Sequence, residues 1–484
     1  MRGVPVEHPP TNERLTALEE RVRREIELTD FPKRPWLTPR EHNGRHVHDV
    51  VIVGAGQAGI STAFALKRRA VTDTVVLDQS VPGYEGPWLT YAQMHTLRTP
   101  KHVAGPDHGV PSLTCESWYR AAYGDETWDA MTFIPREHWQ QYLVWVRRMT
   151  EPEVRNETTV TGIAPVADYL EVRYTDASGD GAVLARRVVL ATGMDGNGEW
   201  AVPSLITDAV PPEKYINTGR PADFTRFRGL RVGTLGGGAS AFDYSAEALE
   251  HGAASVELFY RREEIPRVNP FRWMEFYAYP GFFADLPDED KWKFTEQFRR
   301  TNQPPPQATW YRATRFDGFT WHTGAGWRGI RMDGEEIVVE TAVGEFRFDA
   351  IICGTGPNVD FSARPELAPL EPLVAFWRDR FTPPVGWEDP GLLDYPYLGT
   401  DFRLLEKTAG AAPWVEHIHD FTYGAWLSMG LAGNMASGLK IGGARLSDGI
   451  ARSLFLEDRA QYFDAYQSFD SVELVDTGRP PGAL

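Results

Sequence analysis

The hydrophobic positions change their period several times along the chain, and each change predicts a different kind of element. Leu15, Leu18, Val22 and Ile26 recur at helical spacing among Glu and Arg, which predicts a lead-in helix packed by one face on the body. Residues 1–48 are polar and carry no strand signal, and the helix is followed by a Pro-rich connector over residues 31–40. At Asp49 the pattern becomes "DVVIVGAGQAGISTAFALKRRA", which reads as a buried strand, a tight turn and a helix, and "TVVLDQS" is a second apolar strand reaching Asp78. A turn-rich, aromatic stretch ends in the helical "WQQYLVWVRRM", and strands are expected at "LEVRYTD" and "RRVVLATG". "RVGTLGGGASAFDYSAEALEHGAASVELFYRR" then repeats strand, turn, helix and strand. Residues 266–325 break the rhythm with the helical "DEDKWKFTEQFRRTN" and the stop "QPPPQ", and predict a helical insertion. Strand returns at "EIVVE" and "EFRFDAIICGTG", and the tail "GNMASGLKIGGARLSDGIARSLFLEDRAQYF" reads as loop, then helix.

The repeated unit carries the chemistry. Gly54, Gly56 and Gly59 follow an apolar strand and open a helix that begins near Gln57 and Ala58. In such a turn the first glycine permits the sharp bend, the second lets the backbone approach a pyrophosphate, and the third allows close helix–strand packing. The helix N-terminus offers free N–H groups and partial positive charge to the phosphates. Asp78, with Gln79 beside it, stands where an acid suits a ribose 2′-hydroxyl. In the second unit Gly236, Gly238 and Ala241 hold the glycine positions, and Ala239 and Ser240 start the helix. Its second strand ends in Arg261 and Arg262, which suit a 2′-phosphate, so NADPH is favoured over NADH. Two dinucleotide sites imply electron transfer between them, with FAD and NADPH the natural pair. The expected architecture is α/β, with two Rossmann-like dinucleotide-binding domains and a helical insertion. Residues 1–48 form an N-terminal helical extension, 49–205 and 350–484 the FAD-binding domain, and 206–349 the NADPH-binding domain, its insertion at about 266–325.

Bulk properties narrow the function. The 484 residues carry a net charge of -17, which argues against a nucleic-acid partner, because phosphate binding needs basic stripes. The two cysteines, Cys115 and Cys353, build neither a disulfide framework nor a zinc site and read as small core hydrophobes. "HIHD" at 417–420 has metal-like spacing without a partner cluster, so no metal is expected. With no apolar run of membrane-spanning length and no signal-like start, the expectation is a soluble, cytoplasmic enzyme without membrane partners. A homo-oligomer is neither required nor excluded.

The motifs "GAGQAG", "GPW", "VVLATG", "RGLRVGTLGGGASAFD" and "DAIICGTGP" together resemble class B flavin-dependent monooxygenases over most of the chain. Thr192 and Gly193 of "VVLATG", and Thr355 and Gly356 of "AIICGTG", resemble the strand-to-glycine segments where the chain crosses between the two domains of such flavoproteins. Trp88 of "GPW" is implied beside the cofactor. The Cys pair of related disulfide reductases is absent. The Baeyer–Villiger fingerprint FxGxxxHxxxWP is also missing, since "VPPEKYINTGRPADFTRFRG" holds neither its His nor its Trp-Pro. "YAQMHTLRTPKHVAGPDHGVPSLTCESWY" and "IPREHWQQYLVWVRR" are similar to segments of ornithine and lysine N-hydroxylases. That likeness puts Gln93 and Leu97 near the flavin, and Arg98 where a lysine holds the substrate carboxylate. The insertion and a small acidic substrate would also fit aspartate N-hydroxylases.

The resemblance implies that NADPH reduces FAD, that reduced FAD captures O2 as a C4a-(hydro)peroxide, and that NADP+ stays bound as a shield. The substrate would be a small polar amino acid or amine, hydroxylated at nitrogen. S- or C-oxygenation, an NADPH oxidase or diaphorase-type reductase, and a redox sensor that merely binds FAD remain open alternatives. Arg98, Arg312, Arg315 and Arg445 are candidates for gripping a carboxylate bidentately, with pairing to local acids or cofactor phosphates as the other reading. Lys101 flanks the same segment as Arg98. His95, His102 and His108 are candidates for proton transfer, or solvated or core histidines. Trp88, Tyr91, Trp139 and Trp145 either shield the cofactor or pack the core.

Overall fold

Val50, Val51 and Ile52 have no exposed surface and lie in the strand Arg45–Val53, at the middle of the first sheet. A strand covered on both faces reads as a continuous apolar run, which is why this segment does not alternate. The computed structural model describes residues 12–29, 35–103, 105–431, 433 and 435–474. In it the sheet order is Val154–Arg155, Thr74–Leu77, Arg45–Val53, Gly179–Leu190, Tyr169–Asp176, Thr159–Val166. The first four strands run parallel, and the last two form an antiparallel meander on Gly179–Leu190. The C-terminal part of that long strand also pairs with Ile418–Asp420, so the tail returns to this sheet.

The second sheet is wholly parallel, in the order Tyr215–Asn217, Ala350–Cys353, Arg231–Leu235, Ser255–Phe259, Phe319–His322. A three-stranded antiparallel sheet, Trp327–Asp333, Glu336–Thr341 and Gly344–Phe348, lies in the chain between its last two strands in sequence. The two crossings meet. Gly198–Glu199, just after the first, pairs antiparallel with Asn358–Val359, just after the second.

Three expectations change. The boundary drawn at 350 moves past Cys353, because Ala350–Cys353 is held between two strands of the second sheet. The insertion is shorter than 266–325, because helix Gln307–Thr314 packs on helix Ala239–Glu250 and Phe319–His322 completes the second sheet. The region before Asp49 contains strand after all: Arg40–His42 pairs antiparallel with the start of Arg45–Val53.

Helix Glu13–Thr29 buries Leu15, Leu18 and Val22 against a cluster that includes Trp118, Tyr142 and Trp145. Each such aliphatic side chain contributes about 1.5–3 kcal/mol. Part of the Pro-rich connector, residues 31–34, lies outside the described residues. Among the described residues, no helix is long and apolar enough to cross a membrane.

Candidate functional site

The two glycine turns are built alike. Gly54 (φ 103°) and Gly236 (φ 123°) adopt backbone that L side chains avoid. A Cβ on either would run into a crossing carbonyl, that of Ala191 for Gly54 and that of Gly354 for Gly236. Behind the first turn the helix packs on the turn itself, since a Cβ on Gly59 would run into the Gly54 carbonyl; behind the second, the Ala241 methyl packs directly on Gly354 of the crossing, where a Cβ would collide with it. Helices Gln57–Lys67 and Ala239–Glu250 have Gly56 and Gly238 as N-caps, and no side chain caps either one. Their first N–H groups are therefore available to an anionic ligand. Asp78 accepts from Ala55 N–H (2.6 Å) and Ser80 N–H (2.7 Å), which fixes the carboxylate beside the first turn.

A cavity of about 1110 Å³ begins at this turn and runs to the second half of the molecule. Its lining includes Gly54, Gly56, Gln57, Ala58, Asp78, Gln79, Trp88, Gln93, Leu97, Arg98, Thr192, Gly193 and Ser240. Five buried polar atoms on lining residues have no hydrogen-bond partner among the described residues: Trp88 Nε1, Arg98 Nε, Thr192 Oγ1, Trp200 Nε1 and Thr218 Oγ1. A buried polar atom left unpaired costs about 1–3 kcal/mol. Five around one space mark it as shaped for a polar ligand. With the uncapped helix and Asp78 at one end, the lining fits a flavin dinucleotide.

The sequence reading missed much of the opposite wall. Phe271, Arg272, Met274, Phe276 and Tyr277 of the insertion line it, with Trp200, Arg220 and Asp243. Arg272 pairs with Glu275 (2.5 Å). For Asp243 the available signal was an acid within the otherwise apolar start of a helix, "ASAFD".

The four candidate arginines do not converge, and only Arg98 lines the cavity. Arg312 is 7% exposed, bonded to Glu247 and Glu250 (2.5 Å), and donates to the Gln93 carbonyl (2.8 Å). Arg315 pairs with Glu250 (2.6 Å), and Arg445 with Asp285 (2.9 Å) and the Gly281 carbonyl (2.6 Å). Local carboxylates thus hold these three, against their assignment to substrate. Lys101 donates to the Trp128 carbonyl and lies over its ring.

Gly59 and Ala241 work behind the turns as packing positions, and Gly236, Gly238 and Ala239 form the second turn itself. Arg262 donates to the Arg299 and Arg300 carbonyls at the end of helix Asp288–Thr301, whereas Arg261 lies exposed beside Gly326. Thr355 donates to the Ala201 carbonyl, and Gly356 takes φ 83° at the second crossing.

Trp88 and Tyr91 line the cavity; Trp139 and Trp145 pack in the core, bonded to Gln57 and Glu19. His102 reaches the lining. His108 bonds Ser61 (2.8 Å), and burial pushes its imidazole down to about 4. Burial raises the Cys115 and Cys353 thiols, the latter to about 12, which makes them inert core residues. Two groupings with metal-ligand chemistry occur among the described residues, His46–His48–Asp73 and His95–Glu247–Glu250. His417 and His419 belong to neither.

One face of helix Ala239–Glu250 is clasped to residues 91–98. Tyr244 Oη reaches the Tyr91 carbonyl (2.7 Å), Arg312 ties Glu247 and Glu250 to the Gln93 carbonyl, and Asp243 pairs with Arg98 (2.9 Å).

Residues 51–195 match the FAD-NAD(P)-binding family model, and residues 127–309 match L-lysine 6-monooxygenase/L-ornithine 5-monooxygenase. The fold is shared with an ornithine N-hydroxylase of Kutzneria sp. 744 solved with reduced FAD, NADP+ and L-ornithine. The identity is 19%, the TM-score 0.64, and the likeness covers 84% of this chain and 99% of that one. L-lysine 6-monooxygenase from Pseudomonas syringae superposes comparably, with 18% identity, a TM-score of 0.62 and coverage of 84% and 99%. A FAD-dependent urate hydroxylase of Xanthomonas campestris pv. campestris is 43% identical over 461 residues, 95% of this chain and 97% of that protein. With that identity along nearly the whole of both chains, and with the first glycine turn and the start of the second unit's helix lining one cavity, this protein belongs to the class B flavin-dependent monooxygenases, FAD- and NAD(P)-binding oxidoreductases.

Proposed function

We propose that the protein is an NADPH- and O2-dependent monooxygenase whose substrate is urate. The observation that carries this reading is the 43% identity to a urate hydroxylase, sustained over 97% of that relative. The cavity chemistry supports it. Urate is a planar, nitrogen-rich monoanion at neutral pH. Arg98 offers a cation on the flavin-side wall, and Phe271, Phe276 and Tyr277 offer apolar faces opposite.

The first turn and Asp78 would hold FAD by its pyrophosphate and ribose. The turn at 236–238 would hold the nicotinamide dinucleotide. Arg261 is the better candidate for its 2′-phosphate, because Arg262 already caps a helix end. FAD reduced by NADPH supplies, when bound, the electrons that activate O2. The chain's own part is to orient the two dinucleotides, hold the substrate anion and keep water from the reacting atoms through the insertion's aromatic wall.

A second reading, N-hydroxylation of a small polar amino acid or amine, is favoured by the L-lysine/L-ornithine monooxygenase match over 127–309. One assay separates them. Purified holoenzyme is given NADPH with urate, L-aspartate, L-ornithine or L-lysine, and NADPH, O2, peroxide and substrate are followed together. The expected outcome is urate loss matching NADPH oxidation, with little peroxide. Hydroxylamine formed from an amino acid, with urate untouched, would move the assignment to the second reading. NADPH converted to peroxide whatever is added would refute both.

A further inference from the structure

We infer that Asp243 is a positioning residue for substrate: it sets the aim of Arg98, the cation that receives the substrate's anionic edge. The inference rests on the reading of the cavity given above.

Asp243 is the fifth residue of helix Ala239–Glu250, and its side chain is nearly sealed from solvent, at 2% exposure. A carboxylate so placed needs partners. Oδ1 takes the Thr309 hydroxyl at 2.9 Å and Oδ2 takes Arg98 Nη2 at 2.9 Å. Both oxygens are thus engaged, and the guanidinium is held at one corner. Arg98 Nε remains buried without a partner, on a residue that lines the cavity. A guanidinium fixed at one nitrogen and unpaired at another is preorganised to donate to an incoming anion.

Position strengthens the case. Arg98 lies on the short strand Thr96–Pro100, which pairs antiparallel with Phe133–Pro135 on the first-turn side of the cavity. Asp243 comes from the helix that starts at the second turn. Two of the contacts that clasp this helix to residues 91–98 end on backbone carbonyls, and Tyr244 also meets the Gln93 side chain. The Asp243 contact ends on a charged side chain that lines the ligand space. Domain closure would be served equally well by a third carbonyl. A buried acid aimed at Arg98 is needed only if the guanidinium must point one way.

The test is a double-mutant cycle of Asp243→Asn, Arg98→Gln and the double variant, as FAD-loaded enzyme. Urate is titrated into the oxidised holoenzymes, and the flavin absorbance change gives the dissociation constant without turnover. Arg98→Gln should weaken urate at least about tenfold, since a charge-assisted bond is lost. Asp243→Asn keeps the shape and an acceptor but frees the guanidinium, and should weaken urate about three- to tenfold. The double variant should be no weaker than Arg98→Gln alone. FAD content and NADP+ affinity should match wild type throughout, which a general loss of fold would not allow. Additive losses in the double variant would overturn the inference. So would an Asp243→Asn enzyme that loses FAD or melts early yet binds urate normally. A wild type blind to urate would refute the substrate assignment instead, and the cycle is then read with L-aspartate. A wild type that binds neither overturns both.

Discussion

Gly238→Ala isolates the proposed dinucleotide contact from folding. Gly238 has an ordinary backbone (φ -77°, ψ 166°), and a Cβ built there meets nothing within 4 Å. Alanine therefore fits without strain. Reduced unfolded-state entropy favours it by about 0.4–1 kcal/mol, and loss of a good N-cap residue costs a similar amount. The melting temperature should stay within about 3 °C of wild type. The added methyl does, however, fill the space through which a pyrophosphate approaches the helix N–H groups. One lost hydrogen bond to a charged group costs about 1.5–3 kcal/mol, or roughly 10- to 100-fold in affinity. Steady-state NADPH oxidation should show KM for NADPH raised by that factor, with the flavin spectrum and FAD content unchanged. An unaltered KM would mean that the phosphates do not pass Gly238, and the assignment of the second turn would fail. Gly56→Ala is the mirror experiment: its Cβ meets only Gly86 backbone, at 3.8 Å, so FAD retention should fall while KM for NADPH holds.

Asp78→Ala removes the acceptor held beside the first turn and should lower FAD affinity roughly 10- to 100-fold; full flavin occupancy after extensive dialysis would contradict that role. Arg312→Met leaves Glu247 with the exposed His251 and Glu250 with Arg315, and should cost about 3 kcal/mol of stability with substrate KM unchanged. A normal melting temperature with a raised substrate KM would return Arg312 to the site. The folded-state pKa of His108, about 4, is depressed from 6.5, so its contribution is fully present above pH 6.5 and is lost as pH falls through 4. That gap is worth at most about 3 kcal/mol. His108→Gln should flatten melting temperature against pH in this window, and curves that stay parallel to wild type would refute the burial argument.

What was legible in the sequence was local. Gly54, Gly56 and Gly59 announce their turn because strand, bend and helix start lie within one short segment, and Gly236, Gly238 and Ala241 do the same. Arg312 was misread because the groups that hold it, Glu247 and Glu250, lie 65 and 62 residues away. Nothing in "TWYRATRF" reveals them. The strand Ala350–Cys353 is apolar enough for either sheet, and only its pairing with Tyr215–Asn217 and Arg231–Leu235 decides. The insertion was visible as a break in period, but a break in period says nothing of which face turns inward. Its contribution to the cavity wall was therefore invisible.

The clasp at residues 91–98 has an evolutionary corollary. Tyr91 grips the opposing helix through its main-chain oxygen, which every amino acid possesses, while its side chain borders the ligand chamber. Descendants of this enzyme can exchange that side chain, and so reshape the chamber for a new molecule, without unlatching one half from the other, whereas Gln93 also meets Tyr244 through its side chain. Arg98 has no such latitude, because its own side chain is the latch.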